Sequence, residues 1–147
     1  MSVCILGNGL TALTLAKALV NYEFNVDVFF NKSNYKINDT RTIGLAKNNI
    51  DFFNKNIINI EKIIWKLKKI EIFSENLKQD QLINFKANDD YLFSILKNEK
   101  LYKLLKKDLL KNKLFKLESN NKKNFSFLNQ YDLIINCDPS NFITNRY

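Results

Sequence analysis

The first thirty residues change hydrophobic period twice. Residues 2–6, SVCIL, form a short apolar run rich in β-branched side chains, which reads as a strand buried on both faces. From Leu10 the period becomes helical. Leu10, Leu13, Ala16 and Val20 share one face, and Ala12, Leu15, Ala18 and Leu19 widen it, so a largely buried helix is expected over 10–20. Residues 25–30, NVDVFF, read as a second strand. Strand, short glycine turn, helix, strand is a βαβ unit, which implies a parallel pair and a right-handed crossover.

The pattern is weaker downstream. Residues 31–42 are polar and read as a loop. Helical spacing is expected over 48–54 and again over 58–67, with Trp65 half-buried. Residues 70–74 and 82–86 alternate apolar and polar, which predicts an antiparallel pair with one wet face. Asp89 or Asp90 can cap a long amphipathic helix over 91–111, with Leu92, Ile95, Leu96, Leu101, Leu104, Leu105 and Leu109 inward. Strands at 113–117 and 124–128 would flank the polar ESNNKK turn. A strand at 131–137, YDLIINC, precedes the turn signal DPSN. No repeat or linker interrupts the chain, so the expectation is one α/β domain over 1–147.

Composition narrows the function classes. At 147 residues and 46% hydrophobic, the chain can bury a real core. No apolar run reaches the roughly 18 to 20 residues of a membrane span, and the N-terminus has neither a basic flank nor a small-residue cleavage site, so a cytoplasmic location is expected. Cys4 and Cys137 lie inside apolar runs, which suits buried free thiols. With no histidine, Ser-His-Asp and Cys-His nucleophile systems and the usual zinc sites are excluded. The net charge of +8 comes from 23 basic residues, all lysine except Arg41 and Arg146. Stretches such as KLKK and KLLKK fall on polar helix faces, and the aromatics sit in apolar runs without a stacking platform, so no nucleic-acid partner is expected. Attraction to an anionic membrane surface stays open.

The chain has three glycines, and Gly7 and Gly9 stand between the first strand and the helix. With Ala12 they make G-x-G-x-x-A. In that arrangement Gly7 permits the tight turn and Gly9 lets a pyrophosphate approach the backbone. Ala12 lets the helix pack close to the strand, and the helix N-terminus offers free N–H groups to phosphate. Such units usually end the second strand in Asp or Glu, which binds the ribose. Here Phe30 and Asn31 occupy that end, and Asp27 comes too early and points elsewhere in the pleat.

Three segments taken in order, GNGLTALTLAKAL, DTRTIGLAKNNIDFF and YDLIINCDPSN, resemble the FAD-dependent aromatic hydroxylases. Within them the resemblance is to the ubiquinone-biosynthesis (2-polyprenylphenol) monooxygenases. The middle segment carries an Asp-x-Arg-x-x-x-Leu stretch at Asp39, Arg41 and Leu45. The resemblance implies the N-terminal portion of a Rossmann-like FAD-binding fold. Residues 70–88 would be the start of an antiparallel substrate sheet. It implies FAD as cofactor, NAD(P)H as reductant, and hydroxylation of a polyprenyl phenol, with peripheral contact at the inner membrane. Gly7, Gly9, Leu10, Thr11, Ala12, Asn31, Arg41 and Asp138 would contact the cofactor, with Arg41 offering its planar fork to phosphate. The residues nominate no catalytic acid or base. Pro139 stands where that family has glycine, Asn98 falls near its helix-head arginine, and its later Gly-Asp motif would lie beyond residue 147. A completing chain or a homo-oligomer is therefore one expectation. A non-catalytic partial fold serving as a partner or lipid-binding piece, or an NAD(P)-binding module, remains the alternative.

Overall fold

A computed structural model describes residues 1–31, 40–75, 81–86, 91, 93–119, 126–140 and 144. Its first elements follow the sequence pattern closely. Strand β1 (Ser2–Leu6), helix α1 (Leu10–Asn21) and strand β2 (Asn25–Phe30) form the βαβ unit, with β1 and β2 parallel from Ser2 opposite Asn25 to Leu6 opposite Phe29. After these come β3 (Thr42–Ala46), α2 (Lys47–Asn56), β4 (Ile64–Leu67), β5 (Lys69–Phe73) and β6 (Gln81–Lys86). The chain continues through β7 (Phe93–Lys97), α3 (Asn98–Leu109), β8 (Phe115–Ser119), a 3₁₀ turn at Ser126–Gln130 and β9 (Leu133–Asn136).

The strands fall into a parallel sheet in the order β8-β2-β1-β9, an antiparallel sheet β3-β7-β4, and the hairpin β5-β6. The parallel sheet is covered on both faces, which is why β1 reads as a continuous apolar run. On one face Ala12, Leu13, Ala16 and Val20 of α1 share a core with Val3, Ile5, Val26 and Val28. Helix α3 packs beside α1 and adds Leu101, Leu105 and Leu109, and Lys17 bridges to Asp108 at 2.7 Å. On the other face Cys4, Leu6 and Leu128 are covered by Phe29, Phe127 and Tyr131. Both cysteines are free thiols, Cys4 buried and Cys137 half-buried. No described helix is long and apolar enough to cross a membrane.

Several expectations fail. The segment 91–97 is not the first part of the long helix. Phe93–Lys97 is the central strand β7, and α3 begins at Asn98. Flanked by β3 and β4, this strand buries Ser94 and Leu96 in alternation, but the polar Ser94 hides that period in the sequence, and Ile95 and Leu96 then match helical spacing by coincidence. The expected helix over 58–67 gives way to a turn and β4, because Ile64 and Trp65 pair with Leu96 and Ile95 of β7. Trp65 is 69% exposed rather than half-buried. Residues 42–46 form a strand where a loop was expected up to 42, and residues 126–130 form a 3₁₀ turn rather than a strand. The expected caps Asp89 and Asp90 lie outside the described residues, as does the ESNNKK segment from residue 120. The antiparallel pair at 70–86 is present as β5-β6, but its apolar face is uncovered.

Candidate functional site

Strands β1, β2 and β9 of the parallel sheet deliver three chain segments to the same edge of the sheet. After Leu6 the chain turns at Gly7, which adopts φ +105°, a conformation that costs most L side chains of order 1 kcal/mol or more. Its N–H donates to the Phe29 carbonyl at 2.7 Å, pinning the turn across the end of β2. A Cβ on Gly7 would also stand 3.1 Å from the Cys137 carbonyl carbon and 3.2 Å from the Asp138 nitrogen. Dihedral and space therefore both demand glycine. Gly9 is different. It is extended, at φ −70° and ψ 179°, and it occupies the N-cap of α1 without any side chain to close that end.

The first intrahelical bond runs from the Leu13 N–H to the Gly9 carbonyl at 3.0 Å. The amides of Leu10, Thr11 and Ala12 therefore come before the ladder, where an α-helix leaves its donors unused and its dipole positive. The first turn of α1 has no acidic residue to neutralise that end. Ala12 is fully buried against the sheet, Leu10 is half-buried at the core, and Thr11 is exposed.

A cleft of about 360 Å³ opens at this edge. Gly7, Asn8 and Gly9 form one wall, Phe30 and Asn31 the end of β2, and Cys137, Asp138, Pro139 and Ser140 the wall beyond β9. The volume lies within the range of small-molecule sites. Asp138 is a turn-former in this wall. Its Oδ1 accepts from the Ser140 N–H at 2.9 Å and from Ser140 Oγ at 2.7 Å, while its own N–H donates to Asn136 Oδ1 at 3.1 Å. Burial pushes the Cys137 thiol up, so it offers no thiolate nucleophile to the cleft.

The structure thus gathers Gly7, Gly9, Asn31 and Asp138 around one cavity, with Leu10, Thr11 and Ala12 at the helix start beside it. Arg41 is not among the residues lining that cavity. It is exposed just before β3, and its carbonyl accepts from the Asn98 N–H at 2.9 Å at the head of α3. The Asn98 side-chain oxygen is buried there with no hydrogen-bond partner. Asp39 lies outside the described residues. Asn8, Cys137, Pro139 and Ser140 are lining residues that the glycine pattern did not single out; for the last three, the DPSN turn following an apolar strand was the signal.

Asp27 serves the opposite face. Its Oδ2 accepts from the Tyr131 hydroxyl at 2.6 Å. Burial and, after it, the Asp27 carboxylate push the Cys4 thiol up to about 12. Burial first, then the bond to Asp27, raise the Tyr131 hydroxyl too. This cluster is structural and turned away from the cleft. No group of acidic or sulfur ligands able to hold a metal occurs among the described residues.

A parallel sheet with a glycine turn, an open helix N-terminus and a cleft at the strand ends defines a Rossmann-like fold. Solved structures identify which one: it is the fold of FAD-dependent aromatic monooxygenases. The p-nitrophenol 4-monooxygenase of Pseudomonas putida matches with a TM-score of 0.66 at 13% identity, over 80% of this chain and 31% of its own. PqsL of Pseudomonas aeruginosa, described as a probable FAD-dependent monooxygenase, matches with 0.65 at 17% identity, over 81% and 32%. The 2,6-dihydroxypyridine-3-hydroxylase of Arthrobacter nicotinovorans matches with 0.56 at 14% identity, over 79% and 28%. The chain spans about a third of the length of these structures. No protein-family model and no curated protein matches the sequence.

Proposed function

We propose that this chain is the FAD-binding portion of a flavin-dependent monooxygenase that hydroxylates an activated aromatic ring. The observation that carries the reading is the cleft between Gly7–Gly9 and the β9 turn, onto which the uncapped N-terminus of α1 opens. The backbone at Gly9 and the amides of Leu10, Thr11 and Ala12 would hold the pyrophosphate. Asn31 would hydrogen-bond the ribose, and Asp138, already locked by Ser140, would shape the wall. The Arg41 backbone meets the head of α3, where the unpartnered Asn98 oxygen could accept from a bound polar group. Bound FAD would supply the electron transfer to dioxygen, with NAD(P)H as the reductant; the chain itself binds, orients and shields. The three-segment resemblance supports a polyprenyl phenol as the ring that is hydroxylated. The neighbours named above support only the wider class of substituted aromatic rings.

The test is a visible spectrum after incubation with FAD and gel filtration. Flavin bands that co-elute with the protein, and that Gly9→Val abolishes, are the expected outcome. A colourless protein at saturating FAD overturns the reading.

A further inference from the structure

Resting on the reading of this cleft as a nucleotide site, we infer that the end of β2 does not read the ribose 2′ position. The cleft then takes an adenosine pyrophosphate with or without a 2′-hydroxyl or a 2′-phosphate. Where a carboxylate closes this strand it accepts from the 2′-hydroxyl and repels a 2′-phosphate. Both effects require a negative charge on the cleft side of β2; the neutral amide of Asn31 can accept from a hydroxyl or donate to a phosphate, so its bond to the ribose does not separate the two.

The strand's alternation removes that charge. Val26 and Val28 face α1 and are fully buried, and Phe30 is the next residue of that set. It arrives at the cleft as a ring. Asp27 belongs to the other set, with its carboxylate bonded to Tyr131 behind the sheet. Strand β8 does not supply a substitute. Its Glu118 pairs with Phe29, so it shares the far face, and the residue opposite Phe30 is the neutral Ser119. Among the described residues the carboxylate that lines the cleft, Asp138, follows β9, two strand positions from β2 in the order β2-β1-β9. That separation is about 10 Å, a full Debye length at moderate salt. Asp138 Oδ1 is also committed to Ser140. Recognition then rests on the phosphates at α1 and on an aromatic surface for the adenosine, as stacking sites achieve without hydrogen-bond readout.

Calorimetric titration of the whole chain with ADP-ribose, 2′-deoxy-ADP-ribose and 2′-phospho-ADP-ribose tests this at about 0.15 M salt. The expected result is three dissociation constants within about threefold of one another. Phe30→Glu should then favour ADP-ribose over its 2′-phosphate by tenfold or more. If circular dichroism shows that variant unfolded, Asn31→Asp, at an exposed position, takes its place. A wild-type preference above tenfold for either the 2′-hydroxyl or the 2′-phosphate overturns the inference while leaving the nucleotide site standing. If none of the three binds, the nucleotide site itself falls, and the inference with it.

Discussion

In the parallel sheet every side chain of β1 from Val3 to Leu6 is withdrawn from water, whereas in the β5-β6 hairpin all six residues of β6 are exposed. The two regions use similar residues. The hairpin sets Ile70 across from Phe85 and Ile72 across from Ile83, a good apolar face, yet Phe85 remains 53% exposed and Ile72 43%. The difference is what lies above that face. The sheet has α1 and α3 on one side and the Leu128 cluster on the other, while among the described residues the hairpin is held chiefly by its own cross-strand pairs. A two-stranded hairpin alone is marginal in water. Apolar strands are therefore held fast where both faces are covered and lie open to water where they are not.

Truncation in the core breaks this comparison most directly. Leu13→Ala should cost about 2–5 kcal/mol, the range for a fully buried leucine whose neighbours cannot close the cavity. Phe85→Ala should cost under about 0.5 kcal/mol, as for other exposed positions. Urea unfolding of both variants measures the contrast. Equal losses would mean that the hairpin is covered in solution and that the contrast is wrong.

The two glycines of the turn sharpen it next. Gly7→Ala imposes a side chain at φ +105° and pushes a Cβ against the backbone of Cys137 and Asp138, so a loss of about 1–3 kcal/mol is expected, together with nucleotide binding. Gly9→Val meets no forbidden dihedral and should change stability by less than about 1 kcal/mol while abolishing binding. Melting curves and FAD titrations on the two variants separate a glycine needed by the fold from one needed by the ligand. Equal melting losses would put both in the first class.

How much of this was visible in the sequence follows the same divide. The βαβ unit was legible because Ala12, Leu13, Ala16 and Val20 keep their period and two glycines mark its turn. Strand β7 was not, since its inward face carries the polar Ser94 beside Leu96, which hides the alternation, and a true helix begins at the very next residue, Asn98. Of the site, Gly7 and Gly9 were legible from spacing. That Asp138 closes against Gly7 depends on β9 pairing parallel to β1, a contact about 130 residues away in sequence that no local pattern encodes. Arg41 stood out as a rare arginine, but its place at α3 rather than in the cleft follows from β3, the strand the pattern missed.

Behind the sheet, Tyr131→Phe removes the hydroxyl that satisfies Asp27. A part-buried carboxylate left without its donor should cost about 1–2 kcal/mol, read by urea unfolding, with FAD binding unchanged because the cleft lies on the other face. Loss of binding in this variant would show that the two faces of β2 are coupled.

The smallest effect expected is at the opposite edge of the sheet, where β1 and β9 begin. The Asp132 carboxylate accepts from the Ser2 N–H at 2.6 Å and from the Ser2 hydroxyl at 3.1 Å. The amide first and the hydroxyl second hold its carboxyl below the usual range. A depressed carboxyl contributes stability above its unfolded value, about 3.9, and loses it as pH falls through the lower folded value. Asp132→Asn should therefore be less stable than the parent from pH 7 down to about 5, and the gap should close below about pH 4. Glu71 in the hairpin is depressed as well, chiefly by its bond to Lys69. If the hairpin is loosely held, Glu71→Gln should leave global acid unfolding unmoved, because an ion pair on an element that opens by itself does not report on the core. Acid titrations of the two variants side by side decide the matter. A pH-dependent gap for Glu71→Gln as large as that for Asp132→Asn would tie the hairpin to the sheet in one cooperative unit.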